Sequence, residues 1–157
     1  MDIKLGIVIV ALALLLLALL RYKKSILTPL LIAGIASAIW TTIYRYEYVG
    51  ENIFLFERIN IFPLTLWTLG LTSLYILQTH VVRKRNFLLL VCAYLVLLFT
   101  LEAVGYHLLN IRLVSNFPGL LNLDIIHGPT MLQIFYIAAG PAYLIVLHLI
   151  QKSSQKA

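Results

Sequence analysis

Long apolar runs separated by short polar segments dominate this chain. Five runs approach the ~20 apolar residues that an α-helix needs to cross about 30 Å of hydrocarbon. They cover residues 5–20, 26–44, 59–77, 87–109 and 129–149. No run alternates as a barrel strand would, and lipid offers no partner to unpaired backbone groups. The pattern therefore predicts a single all-α domain, residues 1–157, built as an integral membrane bundle of about five transmembrane helices.

The composition agrees with this pattern. Of the 157 residues, 62% are hydrophobic and 11% are charged, whereas a soluble domain is about half apolar and about a quarter charged. An ordinary soluble fold is excluded, and so is a disordered chain, which would be polar. The single cysteine, Cys92, excludes an internal disulfide framework and a cysteine-based zinc site.

Lysine and arginine residues in short loops predict the orientation of the bundle. With the N-terminus outside, the inner segments hold eight basic residues: Arg21, Lys23, Lys24, Arg83, Lys84, Arg85, Lys152 and Lys156. The outer segments hold four: Lys4, Arg45, Arg58 and Arg112. This excess predicts an outer N-terminus and an inner C-terminus in a multi-pass protein of the plasma (cell) membrane. The inner basic clusters fit contact with membrane lipid headgroups and do not indicate a nucleic-acid partner.

All six acidic residues fall in the predicted outer half: Asp2, Glu47, Glu51, Glu57, Glu102 and Asp124. The positive-inside rule does not require this, because acids contribute little to orientation. The predicted outer loops, about residues 45–58 and 110–128, are also the long ones. Because sites are usually built on loops held by rigid helices, the sequence places function at the outer end.

Glu102 lies inside the fourth apolar run, roughly 22 Å along the helix axis from Phe87. An ionisable group at that depth costs a few kcal/mol unless it is paired or hydrated. We therefore expect Glu102 to face the bundle interior. Tyr106, four residues further on, shares its helix face, and His107 follows directly.

A second polar and aromatic stripe is predicted near the outer end of the second run. There Trp40, Tyr44 and Glu47 follow an i, i+4, i+7 spacing on one helix face. The alternative interpretation is that the aromatic residues form the usual interfacial belt and that the acids pair with nearby arginines. Those arginines are Arg45, Arg58 and Arg112.

An internal repeat is one interpretation of the two outer segments. Residues 45–63 and 100–118 align without a gap at a shift of 55 positions. The identical pairs are Glu47 with Glu102, Val49 with Val104, Gly50 with Gly105, Phe62 with Phe117 and Pro63 with Pro118. A direct repeat of a two-helix unit would make the two glutamates equivalent carboxylates in one cavity, each followed by a glycine that permits a tight helix exit. Two such carboxylates suit proton chemistry, because burial lets one stay neutral while the other is ionised. The alternative is coincidence in a biased composition.

Glu57 and Asp124 each precede an apolar run that a proline marks, at Pro63 and Pro129. They are candidate catalytic acids, and the alternative is that they stabilise a positive helix N-terminus. His127 stands just before the fifth run, where the free N–H groups of a helix start form a small anion site. The alternative there is a plain helix start.

Histidine and carboxylate side chains in this region suit a divalent metal in principle. They are His107, His127, Glu102 and Asp124. No His-Glu-x-x-His motif accompanies them, so no metal site is predicted. Haem would need two histidines at equal depth on facing helices, and the spacing of the histidines is not specific for it. The cofactor is left open.

Both halves of the chain contain the same series of features. Each has a carboxylate near an outer helix end, then a polar loop, then a proline-marked helix with a nearby acid. The residues are Glu47 with 57–63, and Glu102 with 124–129. In this arrangement, residues 26–149 resemble the duplicated three-helix domains of lycopene (carotenoid) cyclases and related membrane enzymes acting on isoprenoid chains. The resemblance implies a membrane helical fold and an isoprenoid substrate. The Pro-Glu-Glu signature of that family is absent here, and no catalytic residue is carried over from it.

The sequence thus favours a membrane-embedded enzyme that performs acid–base chemistry on an apolar isoprenoid or lipid molecule. The candidate catalytic residues are Glu102, Glu47, Glu57 and Asp124. The candidate binding residues are Trp40, Tyr44, Tyr106, His107, His127 and Arg112. Two alternatives stay open: a non-catalytic subunit that docks on a membrane protein partner, and a small lipid or solute carrier.

Overall fold

The computed structural model describes residues 2–82 and 86–154. Five helices form the bundle: α1 (Ile3–Tyr22), α2 (Lys24–Tyr44), α3 (Ile61–Ile76), α4 (Phe87–Ala103) and α5 (Thr130–Ser154). Each, together with any π-helical turn that extends it, is long and apolar enough to cross a membrane. The predicted all-α class and the five spans are confirmed. Four of the basic residues used for orientation, Arg83, Lys84, Arg85 and Lys156, lie outside the described residues, and the orientation stays a prediction.

The helix boundaries follow from local chemistry. Only Lys23 separates α1 from α2, and it takes a left-handed φ of 49° that no helix continues. Arg45 ends α2 in the same way, with φ 40°. Asn60 caps α3, because its side-chain oxygen accepts a hydrogen bond from the Phe62 backbone N–H at 3.1 Å.

Pro29 lies inside α2 without breaking it. A proline has no N–H, so the carbonyl four residues earlier loses its helical donor. That carbonyl belongs to Ser25, and the hydroxyl of Tyr75 on α3 donates to it at 3.4 Å. The hydroxyl of Tyr143 on α5 donates to the Pro29 carbonyl at 2.9 Å. The proline therefore ties α2 to two neighbouring helices.

Helices α1, α2 and α3 pack along one another, whereas α4 packs mainly against α5. Helices α4 and α5 are in tight contact at Gly140, where a Cβ atom would meet the Tyr94 ring at 2.8 Å. Leu90 is the fully buried side chain among the described residues of α4. Most other apolar side chains of α4 are exposed at the bundle surface, as expected for residues that face lipid.

Three segments meet at one end of the bundle: the start of α1, the α2–α3 loop and the α4–α5 loop. The Lys4 ammonium donates to the Val49 carbonyl at 2.8 Å, and the Val49 N–H donates to the Arg112 carbonyl at 2.8 Å. All six acidic residues lie in these segments or at the adjoining end of α4. We call this the acidic end, and it is the end that the sequence predicts to be outside.

The α2–α3 loop carries a short antiparallel hairpin, β1 (Phe54–Leu55) and β2 (Ile59–Asn60). The α4–α5 loop begins with a π-helical turn, Val104–Leu108, and contains a 3₁₀ turn, Leu120–Asn122. A second π-helical turn, Leu77–Val81, extends α3 at the opposite end. There the rings of Tyr22 and His80 stack with centroids 4.7 Å apart. Because the chain turns back at each end, successive helices run in opposite directions.

The two segments of the predicted repeat have different backbones. Glu47 follows the end of α2, whereas Glu102 is still inside α4. Gly50 has a φ of 82° in the loop, but Gly105 lies within a helical turn and ends no helix. The expected equivalence of these two glycines as helix exits is wrong, and the repeat stays a prediction.

Candidate functional site

The chain that leaves α2 is extended and alternates its side chains between two sides. Tyr46 is 2% exposed, Glu47 is exposed, and Tyr48 is half-buried and forms a bridge with Leu113. Because successive side chains of an extended segment point to opposite sides, Glu47 points away from the two tyrosines. The expected i, i+4, i+7 stripe of Trp40, Tyr44 and Glu47 is wrong at its last member, since α2 ends at Tyr44.

Tyr46 lies in a buried group of mostly aromatic side chains under the acidic end. We call this group the aromatic cluster. Its buried members are Tyr46, Ile126, Leu132 and Tyr136, and Trp40, Tyr44, Tyr48, Trp67, Leu98, Phe99, Leu113, Leu120 and Phe135 pack around them. It joins α2, α3, α4, α5 and both loops, so it fixes the positions of these four helices relative to the two loops.

A hydrogen-bond network runs through the aromatic cluster. The Trp40 indole N–H donates to the Tyr46 hydroxyl at 2.8 Å. The Trp67 indole and the Tyr136 hydroxyl are further polar neighbours of Tyr46. The Tyr94 hydroxyl donates to the Tyr136 carbonyl, which holds α4 against α5. The two hydrogen bonds therefore tie Tyr46 to α2, and α4 to α5.

Glu102 is half-buried near the end of α4, and the Tyr136 hydroxyl is a polar neighbour of its carboxyl group. On one side of Glu102, Leu98 and Phe99 pack into the aromatic cluster. On the other side, Leu97 and Leu101 are 54% and 61% exposed at the bundle surface. Glu102 thus stands at the boundary between the cluster and the region that lipid would occupy, and it faces the bundle interior only in part.

Burial raises the pKa of the Tyr46 hydroxyl well above its usual value, while hydrogen bonds from Trp40, Tyr136 and Trp67 oppose the shift. Burial also raises the pKa of the Tyr48 hydroxyl, and the nearby charge of Glu102 adds to that shift. Both tyrosines therefore stay protonated at neutral pH and remain hydrogen-bond donors.

A phenol hydroxyl can donate and accept, whereas an indole N–H can only donate. The Tyr46 oxygen is therefore the acceptor for the Trp40 indole. The Tyr136 hydroxyl neighbours both Tyr46 and the Glu102 carboxyl group, so it is placed to donate to either acceptor.

Trp40 and Tyr44, predicted to bind substrate, are packed against their neighbours. The Trp40 ring stacks on Phe135 with centroids 3.3 Å apart, and its centroid is 4.1 Å from that of Tyr44. Trp67 meets Tyr136 edge to face at 4.9 Å. These rings therefore support the positions of Tyr46 and Tyr136 by packing.

A second group of polar residues, the histidine–aspartate cluster, lies on the α4–α5 loop. It comprises His107, Asp124 and His127. The Nε2 atom of His127 is 2.9 Å from Oδ1 of Asp124, and the Nε2 atom of His107 is 3.5 Å from Oδ2. Tyr106 stacks on His127 at 3.7 Å, and the Arg112 guanidinium lies 4.4 Å from the centre of the Tyr106 ring. The structure brings five predicted residues together here, at the surface.

The pairing of acids with arginines, the alternative interpretation of the sequence, does not occur among residues 2–82 and 86–154. The charged contacts there are Asp2 with Lys4, and Asp124 with His107 and His127 when these histidines are protonated. Glu57 is exposed in the hairpin turn with a φ of 59°, outside the first turn of α3. It contributes to neither cluster. In the described part of the chain, no group of three or more histidine, cysteine or acidic side chains is arranged to hold a metal ion.

Four members of the site were not predicted from the sequence: Tyr46, Tyr48, Trp67 and Tyr136. The alternation of Arg45-Tyr46-Glu47-Tyr48 is a signal of an extended segment that would have identified the first two. No pattern in the sequence identifies which face of α3 or α5 meets Glu102.

Comparisons of the chain with protein-family models, with curated proteins and with solved structures gave no match. The resemblance to lycopene cyclases therefore stays a prediction.

Proposed function

We propose that this protein is a membrane-embedded enzyme in which Glu102 transfers a proton to and from an apolar isoprenoid or lipid substrate. The observation that carries the proposal is the position of Glu102, between the hydrogen-bonded aromatic cluster and the lipid-facing side chains of α4. An apolar molecule dissolved in the bilayer reaches this carboxyl group from the side of Leu97 and Leu101. It does not have to cross water.

The proposed division of roles follows from the groups beside Glu102. In this proposal Tyr136, a polar neighbour of Glu102, donates to one carboxyl oxygen, which leaves the second oxygen to carry the reacting proton. Glu102 delivers that proton to a carbon–carbon double bond and later takes a proton back from a neighbouring carbon. The sum is an isomerisation or cyclisation, so the reaction needs no oxidant and no second substrate. In this proposal Tyr136 replaces Glu47, which was a candidate catalytic residue on sequence grounds, as the group that stabilises ionised Glu102.

The aromatic cluster also supports an enzyme over a docking subunit. A subunit that binds its partner through a polar stripe would expose that stripe in the single chain. Here Tyr46 and Tyr136 are already buried within one chain. The rigid packing of Trp40, Trp67 and Phe135 holds the donors in advance of the reaction, which is how enzymes stabilise developing charge.

We place the enzyme in the plasma membrane with Glu102 in the outer leaflet, since the acidic end is the predicted outer end. The test uses purified protein in vesicles made from the total lipid extract of the expression host, prepared in ²H₂O. Mass spectrometry of organic extracts then compares wild type with Glu102→Gln. Glu47→Gln is the matched control, because Glu47 is exposed and points away from the cluster.

A neutral lipid that gains one deuterium with wild type and Glu47→Gln, but not with Glu102→Gln, is the expected result. Identical extracts from all three proteins would overturn the proposal. If a second polypeptide also co-purifies with all three variants, the docking-subunit alternative replaces it.

A further inference from the structure

Lys4 is a buried cation in the first turn of α1, only 6% exposed. The position is unfavourable in two ways. A positive charge near a helix N-terminus opposes the helix dipole, and burial of an unpaired ammonium group is costly. Lys4 therefore requires partners that compensate for both effects.

The contacts of Lys4 use two of its three N–H donors. Its Nζ atom donates to the Val49 carbonyl at 2.8 Å and lies 3.6 Å from Oδ2 of Asp2. Gly50, with a φ of 82°, turns the loop over the ammonium group. An ammonium carries three donors, and the third has no acceptor among the residues that the structure describes.

A cavity of about 510 Å³, open at the surface of the acidic end, is lined by Lys4 together with its partners Asp2 and Val49. Three segments line it: residues 2–4 at the start of α1, residues 49–51 of the first long loop and residues 109–111 of the second. Its charged residues are Lys4, Asp2 and Glu51, and Asn110 adds an amide. Glu51 is exposed, with no hydrogen bond or ion pair to any described residue.

The distribution of charge indicates what would fit. Asp2 already faces Lys4, and the free carboxylate of Glu51 repels a simple anion. A ligand that carries both a phosphate and a primary ammonium group matches both unused partners. The cavity also lies at the level of the membrane interface, because α1 begins there and crosses the bilayer with little length to spare. Ile3, Leu109 and Ile111 supply apolar walls.

We propose that this cavity binds the headgroup of an ethanolamine phospholipid. The phosphate accepts the third N–H of Lys4 and the amide of Asn110, and the ammonium group donates to Glu51. The acyl chains run down the lipid-facing side of α1, where Ile3 is exposed. The bound lipid would hold both long loops against α1.

The test measures lipid binding to the full-length protein by native mass spectrometry, with phosphatidylethanolamine, phosphatidylcholine and phosphatidylglycerol of matched chains. A choline headgroup cannot donate to Glu51, and a glycerol headgroup has no cation. We expect the ethanolamine lipid to bind about tenfold more tightly than either, the effect of one charge-assisted hydrogen bond. Glu51→Gln should remove the preference over choline, and Lys4→Met should remove binding at this site. Lys24→Met, an exposed lysine at the opposite end, is the matched control.

Equal affinity for the three lipids in wild type would overturn the proposal, as would a preference that survives Glu51→Gln. Because Glu51 is exposed, the Glu51→Gln variant should fold, and it tests the proposal even if Lys4→Met does not fold. Soluble phosphoethanolamine is tested in parallel. If it displaces the lipid at equal concentration, the acyl chains contribute nothing and a free ligand replaces the lipid.

Discussion

Glu102 and Asp124 are two carboxyl groups at the same end of one bundle, and their surroundings are opposite. The Asp124 side chain is 75% exposed and has two histidines as partners. Glu102 is half-buried, and its polar neighbour is the Tyr136 hydroxyl. Among residues 2–82 and 86–154, neither carboxyl group has an arginine within ion-pair distance.

The difference shows that exposure to water determines which group stabilises a carboxyl group. An exposed carboxylate is hydrated whether or not it is paired, so its ion pairs contribute little to stability. A carboxyl group beside hydrocarbon has no water, and a neutral hydroxyl satisfies it in either protonation state. The Asp124 contacts therefore organise a loop, whereas the Glu102 contacts preserve a group that can exchange a proton.

The largest predicted effect concerns the support of Glu102. Tyr46→Ala removes a fully buried ring and the acceptor of the Trp40 indole, so we expect a loss of about 3–5 kcal/mol in the free energy of unfolding. Reversible unfolding in mixed detergent, followed by circular dichroism, measures it. Tyr44→Ala is the control, because Tyr44 is only half-buried. Equal losses for the two variants would mean that the aromatic cluster is not organised around Tyr46.

A second prediction concerns the contact between Tyr136 and Glu102. A double-mutant cycle with Tyr136→Phe and Glu102→Leu isolates their interaction from the packing of each side chain. We expect a coupling of about 1–3 kcal/mol, because either single variant leaves a polar group without its partner beside hydrocarbon. The coupling should be unchanged between low and high salt, since the site is shielded from solvent. A coupling near zero would show that Tyr136 does not serve as the donor.

A third prediction follows from the raised pKa of Tyr46. The folded protein keeps the hydroxyl protonated, while the unfolded chain loses the proton near pH 10. Stability should therefore be insensitive to this group below pH 10 and should fall above it by about 1.4 kcal/mol per pH unit. Tyr46→Phe removes the titrating group, so its stability should fall less steeply between pH 10 and 11. Parallel curves for wild type and variant in that range would contradict the assignment.

The spans could be predicted from the sequence because a membrane helix is specified by the length and hydropathy of one run. The site could not, for a local reason. Helical periodicity continued through Arg45 puts Glu47 on the Trp40 face, but the chain leaves the helix at that residue. Neither glycine nor proline marks this point. Beyond Arg45 the chain is extended, so the repeat of side chains on one face changes from 3.6 residues to 2. This change places Tyr46, and not Glu47, on the buried side.

Tertiary contacts explain the other omissions. Trp67 and Tyr136 lie in helices that are apolar on every side, so the sequence does not show which face of each helix meets lipid and which is buried. Their role depends on how α3 and α5 pack against α4. By contrast, His107, Asp124 and His127 were recognisable as candidates, because they lie close to helix ends that the prolines and glycines of the sequence indicate.

The smallest predicted effect concerns Asp124, the exposed one of the two acids. His127 is 13% exposed and 2.9 Å from Asp124, whereas His107 is 39% exposed and 3.5 Å away. A double-mutant cycle with Asp124→Asn and His127→Gln should give a coupling of at most about 1 kcal/mol that decreases with salt, as exposed ion pairs do. The matching cycle with His107→Gln should give a smaller coupling energy.

Amide hydrogen exchange of residues 109–129 reports whether the loop opens. If the loop stays protected from exchange in Asp124→Asn, Asp124 does not anchor it. A salt-independent coupling as large as that of Tyr136 with Glu102 would place Asp124 in a site as dry as that of Glu102, and the contrast between the two acids would then disappear.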